Sequence, residues 1–126
     1  MTDIPTLDNL QEELDKLKGK LQEAQDADIP KGLPYVIVRT YSAGVHAGFL
    51  ESRKGQEVVL RNSRRLYYWD GAFTLSKLAL DGTSKPSQCK FSVEVDHIEL
   101  LEAIEIIRTT TRAQKNLRGV VAHDPS

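Results

Sequence analysis

The chain has 126 residues, with 17 Lys and Arg against 18 Asp and Glu, for a formal charge of −1. That length suits one domain with an appended helix, and the near-neutral balance is unlike a generic polyanion binder, which is usually strongly basic. Cys89 is the one cysteine, so an intrachain disulfide and a Cys-based zinc motif are both excluded. No stretch reads as a signal peptide or membrane span, which points to a reducing cytoplasm.

Charge is unevenly placed along the chain. Thr6–Asp28 holds seven acids and three lysines, whereas Lys31–Tyr68 holds seven basic residues and two acids. An anion-binding surface therefore belongs to the middle of the chain. Eight aromatics are a modest supply for a core, so self-association is a natural source of extra stability.

Pro5, Asp8 and Gln11 form a capping-box-like start to a helix. Leu7, Leu10, Leu14, Leu17, Leu21 and Ala24 then alternate in steps of three and four, the narrow seam of a coiled coil. An isolated helix of that length is marginal in water and has to pack on a partner subunit or on its own domain; the narrow seam favours a partner. Pro30, Gly32 and Pro34 mark the linker after it. Residues 1–30 are thus read as a packing or oligomerisation helix, 31–119 as the ligand-binding domain and 120–126 as a flexible tail.

Tyr35–Tyr41 is rich in β-branched and aromatic residues and predicts a strand. A turn at Ser42–Gly44 leads to a second strand over Val45–Glu51, and Ser52–Gly55 turns into a third over Glu57–Leu60. These strands suggest an antiparallel meander. Arg61–Trp69 continues the third, with Leu66 and Tyr68 on one side and Arg65 and Tyr67 on the other. Thr74 caps a short helix carrying Leu75, Leu78 and Ala79, which Gly82 ends. Phe91–Val95 alternates as a short strand. The segment HIELLEAIEII fits both a period of two and a helical period; its Ile-rich alternation favours a strand. Thr109–Gly119 predicts a short basic helix. The fold class is α+β, an antiparallel sheet with the leucine helix and one or two short helices.

Catalytic motifs are absent from the sequence. His46, His97 and His123 have no metal-ligand spacing, and there is no nucleophile elbow, Walker loop or dinucleotide fingerprint. Cys89 reads as a small buried hydrophobe, and no cofactor is expected. Binding has better support. Arg39, Arg61, Arg64 and Arg65 fall on neighbouring strands or their ends. Guanidinium forks suit phosphate, and aromatic faces such as Trp69 and Phe91 stack on bases. Asn62 can donate and accept at a ribose or base edge. The bland alternative is a strand whose arginines are solvated while its aromatics fill a core.

The run VRTYSAGVHAGFLESRKGQEVVLRNSRRLYYWDGAFTLSKLALDG, with CKFSVEV and IELLEAIEII after it, resembles the phage-encoded Thoeris anti-defence family, its first described type. The likeness covers about residues 35–107. It implies a non-enzymatic sponge, working in the cytoplasm of the infected bacterial host. Such a sponge binds a cyclic ADP-ribose isomer made by the Thoeris TIR enzyme and holds it uncleaved. It also implies uptake of cyclic di- or trinucleotides of CBASS, and assembly as a homodimer or as dimers in a larger oligomer, with no DNA, RNA or membrane partner. On this reading Arg39, Arg61, Arg64 and Arg65 take phosphate, Trp69 and Phe91 stack on bases and Asn62 bonds ribose or base. Arg112 and Arg118 add contacts from the C-terminal region, where the likeness fades. Phe73 departs from the smaller residue expected after the Asp70–Gly71 turn. The alternative class is a non-catalytic oligomeric adaptor that binds nucleic acid or protein through the basic strands and leucine helix.

Overall fold

The structure is a computed structural model that describes residues 30–123. The chain divides into two units at Lys31–Gly32, and the described strands and helices all belong to the second. The predicted leucine helix lies outside the described residues. The second unit is α+β, a six-stranded antiparallel sheet with two helices.

Strand β1 (Tyr35–Thr40), β2 (Val45–Lys54) and β3 (Glu57–Tyr68) form the expected meander. The second strand runs three residues beyond the expected Glu51, because the reversal needs only Gly55 and Gln56, and Gly55 supplies a φ of +61°. The third strand runs unbroken through the arginine-aromatic segment. Helix α1 (Leu75–Asp81) starts at Thr74, whose side chain accepts from the Lys77 amide, and stops at Gly82 with φ +73°. The expected Phe91–Val95 strand is not continuous. Strand β4 is only Lys90–Phe91, and β5 (Val95–Leu100) begins after three irregular residues. At Ser92 the side chain takes a place in the ladder. The amide still donates across to the Arg65 carbonyl (2.9 Å), but the Arg65 amide donates back to the Ser92 hydroxyl (2.7 Å), which itself donates to the Val93 carbonyl (2.9 Å).

HIELLEAIEII is extended, as its alternation favours, but it makes two strands rather than one. Leu101 and Glu102 separate β5 from β6 (Ala103–Arg108). Helix α2 (Thr111–Gly119) comes next, with Thr110 as its side-chain cap. The chain stays packed beyond Gly119: Val120 is buried and the His123 amide donates to the Phe91 carbonyl (2.8 Å).

The strand order β5-β3-β2-β1-β6 places β5 and β6 at opposite ends of the hydrogen-bonded row, with β4 sharing the outer edge of β3 with β5. Laid flat, five strands would separate those ends by about 19 Å. The Leu101–Glu102 link spans at most about 11 Å. The sheet must therefore curl back on itself. Val36, Val38, Val58, Leu60, Leu100 and Ala103 fill the inside of the curl, with Leu50, Ile98 and Ile106 against them. The alternate residues Tyr35 and Ile37, together with Phe49, form the convex face. Helix α1 packs on β1, β6 and α2 there, burying Leu78 and Ala79 while α2 buries Ala113 and Leu117.

A bulge in β3 decides where the arginines point. Ala47 pairs with Arg64 but Phe49 with Arg61, so Asn62 and Ser63 together oppose Gly48. Asn62 is the extra residue and takes a left-handed φ of +48°. The insertion reverses the inside-outside alternation. Arg61 and Arg64 lie in register with convex-face Phe49 and Ala47, while Arg65 pairs with His46, itself opposite concave-face Val38. Gly48 is required at this crossing, since a Cβ there would come within 2.8 Å of the Ser63 Cβ.

Candidate functional site

The nine residues singled out in the sequence do not form one cluster. Arg39 pairs across strands with Glu105 (3.6 Å), and both side chains are largely exposed. Arg61 donates to the Asp96 carbonyl (3.0 Å) and reaches Glu51 (3.3 Å). Arg112 pairs with Asp81, which also takes Lys77; that pairing holds the Asp81 carboxyl below its ordinary range, with the Lys77 hydrogen bond the main cause. These are solvated surface pairs of small energetic weight. Asn62 is the half-buried bulge residue, its backbone in the left-handed region.

Arg64, Arg118 and Phe91 do come together, at the end of α2. Arg64 is 4% exposed and lies 5.2 Å over the Phe91 ring. Its Nε donates to the Ser92 carbonyl (2.9 Å), and Nη1 to the carbonyls of Leu117 (3.1 Å), Arg118 (3.3 Å) and Val120 (2.7 Å). A helix end leaves its last carbonyls without intrahelical partners, and a guanidinium there complements the helix dipole. Arg64 therefore ties β3 to the C-terminus of α2. Burial of the guanidinium pushes its pKa down, and the carbonyls offset that cost. Phe91, expected as a stacking face, is fully enclosed and belongs to the core in this conformation. Arg118 grips Glu94 through Nε (2.7 Å) and Nη2 (3.0 Å) and lies 5.4 Å over Phe49.

Arg65 stands apart from these pairs. Its guanidinium lies 5.9 Å over the Tyr67 ring, and it has no carboxylate partner among the described residues. Its backbone amide is anchored by the Ser92 hydroxyl (2.7 Å), which fixes the strand while leaving the side chain available. Tyr67 and Tyr68 are exposed beside it, Trp69 is half-buried, and Phe73 is 98% exposed on the turn after it. Aromatic surface left in water at this density marks a contact surface.

His46, opposite Arg65, was not among the sequence candidates. Its ring is buried, and Nε2 contacts the Ala43 carbonyl (2.9 Å). A carbonyl only accepts, so Nε2 carries the proton there. Burial is the main cause of a lowered pKa, which Arg65 lowers further and the Ala43 bond partly opposes. The folded histidine thus binds a proton less readily than an unfolded one, whose pKa is about 6.5. Its contribution to stability is complete above about pH 6.5 and is lost as pH falls toward the lower folded value. Urea midpoints measured from pH 7.5 down to 5 should fall, and His46→Gln should flatten the slope; an unchanged slope refutes the assignment.

Among the described residues, no three His, Cys, Asp or Glu side chains are placed to hold a metal ion, and no helix is long and apolar enough to cross a membrane.

An α+β domain with one arginine-aromatic surface and a buried arginine bracket is the class that fold and geometry define. The chain belongs to the family described as a domain of unknown function, DUF6948, whose model matches residues 33–117. No curated protein and no solved structure matches it.

Proposed function

We propose that this protein binds a cyclic ADP-ribose isomer and sequesters it intact, as the resemblance to the phage Thoeris anti-defence family implies. The observation that carries the reading is the Arg65–Tyr67 pair, a guanidinium without a carboxylate partner among the described residues beside an exposed ring. Phosphate binds a guanidinium through charge-assisted hydrogen bonds, and an adenine stacks on an aromatic face. Tyr68, Trp69 and Phe73 follow within eight residues of Arg65 and add further aromatic surface. Enclosing the ligand on all sides requires a second wall, which a second subunit would supply. Uptake of cyclic di- or trinucleotides follows from the same chemistry.

Native mass spectrometry of the full chain with cyclic ADP-ribose isomers and cyclic di- and trinucleotides tests this. The expected result is saturable binding of a cyclic ADP-ribose isomer to an oligomer, with unchanged ligand recovered after heating. Recovery of a linear product would make the protein an enzyme. No binding of any cyclic nucleotide, with salt-sensitive binding of single-stranded nucleic acid, would favour the adaptor class instead.

A further inference from the structure

Tyr35 lies on the convex face beside Phe49, the ring centroids 5.0 Å apart and nearly perpendicular. Its hydroxyl is buried and has no hydrogen-bond partner among the described residues. Buried tyrosine hydroxyls normally find one. The phenol's pKa is raised, by burial first and then by Glu94, so the hydroxyl remains protonated and is a donor in search of an acceptor. Arg118, stacked over the same Phe49, holds both of its gripping N–H groups on the Glu94 carboxylate.

Among the described residues, the Glu94 carboxylate is held by that grip alone. Two residues before it, Ser92 is fixed by the Arg64 Nε, by the Arg65 carbonyl and by its hydroxyl under the Arg65 amide. One residue after it, Val95 pairs with Ser63. The carboxylate can therefore leave Arg118 by rotating its side chain, with the backbone on both sides in place. A guanidinium fork that fits a carboxylate fits a phosphate equally well.

We propose that Arg118 and the Tyr35 hydroxyl form an anion site for a phosphate or pyrophosphate group, which the Glu94 carboxylate fills from within the chain until the anion displaces it. This site lies on the opposite face of β3 from Arg65 and does not rest on the cyclic ADP-ribose reading. Arg64 is a positioning residue here, because it pins Ser92 and so the point from which Glu94 swings. The internal carboxylate makes the site selective: a singly charged anion gains little by replacing it, whereas a pyrophosphate brings more charge to the same fork.

The test is calorimetric titration of the full chain with sodium pyrophosphate at constant ionic strength, for wild type, Glu94→Gln and Glu94→Gln combined with Tyr35→Phe or Arg118→Gln. Glu94→Gln should bind pyrophosphate at least tenfold more tightly than wild type, and its melting temperature should rise further with added pyrophosphate. Either second substitution should cancel most of the gain. Equal affinity in Glu94→Gln and wild type, or a gain that survives Arg118→Gln, overturns the proposal. Should Glu94→Gln not fold, Glu94→Asp, too short to hold both N–H groups, takes its place with the same expectation. Pyrophosphate binding to Glu94→Gln alongside no cyclic ADP-ribose binding to wild type leaves this site standing and removes the sponge reading. Cyclic ADP-ribose binding with no pyrophosphate gain does the reverse.

Discussion

Arg64→Ala is expected to lower the unfolding free energy by about 3–4 kcal/mol, near the top of the range for a single replacement. The guanidinium donates to four backbone carbonyls, those of Ser92, Leu117, Arg118 and Val120. Its removal leaves acceptors buried without donors and opens a gap over Phe91. Arg64→Lys should recover part of the loss, because an ammonium keeps the charge but lacks the planar fork that spans Ser92 and the helix end. Urea unfolding followed by circular dichroism measures both. A loss under about 1 kcal/mol for Arg64→Ala, accompanied by lost ligand binding, would return Arg64 to the ligand surface where the sequence placed it.

The neighbouring arginine should behave in the opposite way. Arg65→Ala removes a guanidinium that lies over the exposed Tyr67 ring, so folding stability should change by no more than about 0.5 kcal/mol. Affinity for the proposed cyclic ADP-ribose ligand should fall by about 1.5–3 kcal/mol, as for a lost charged hydrogen bond. Tyr67→Ala should cost about 1–3 kcal/mol of binding through lost stacking. Isothermal titration alongside a melting curve separates the two effects. Unaltered affinity in both variants would leave the Arg65 surface without a ligand role.

Two adjacent arginines with opposite fates show what the sequence conceals. Turn chemistry was readable: Gly55 and Gly82 sit at positive φ where reversals were expected, and Thr74 caps the helix as its position implied. The strands of the meander were readable from β-branched alternation. The bulge was not: Asn is disfavoured in strands and tolerates a left-handed φ, but it is the close approach of Gly48 to Ser63 across the strands that fixes the bulge at Asn62. Without it, alternation puts Arg61 on the side of Arg65 rather than with Arg64. Arg64 meets its carbonyls 28 and 53 to 56 residues further along, separations that leave no local signal. Phe91 likewise reads as an available ring until β4 pairs with β3 and Arg64 lies over it. The pairing of Glu94 with Arg118 depends on the same closure.

The pairing of β1 with β6 also bears on how the chain folds. The Tyr35 carbonyl accepts from the Thr109 amide (3.0 Å), so the first strand of this unit is completed by its last. Local hairpins can form early, but this closure carries the loop entropy of more than half the chain and belongs late in folding. Until then, Tyr35–Thr40 presents an open row of amides and carbonyls flanked by apolar side chains, a template for pairing with another nascent copy. Slow synthesis or truncation before Ala103 should thus be felt as aggregation, while changes on the helix-covered face are felt as lost stability.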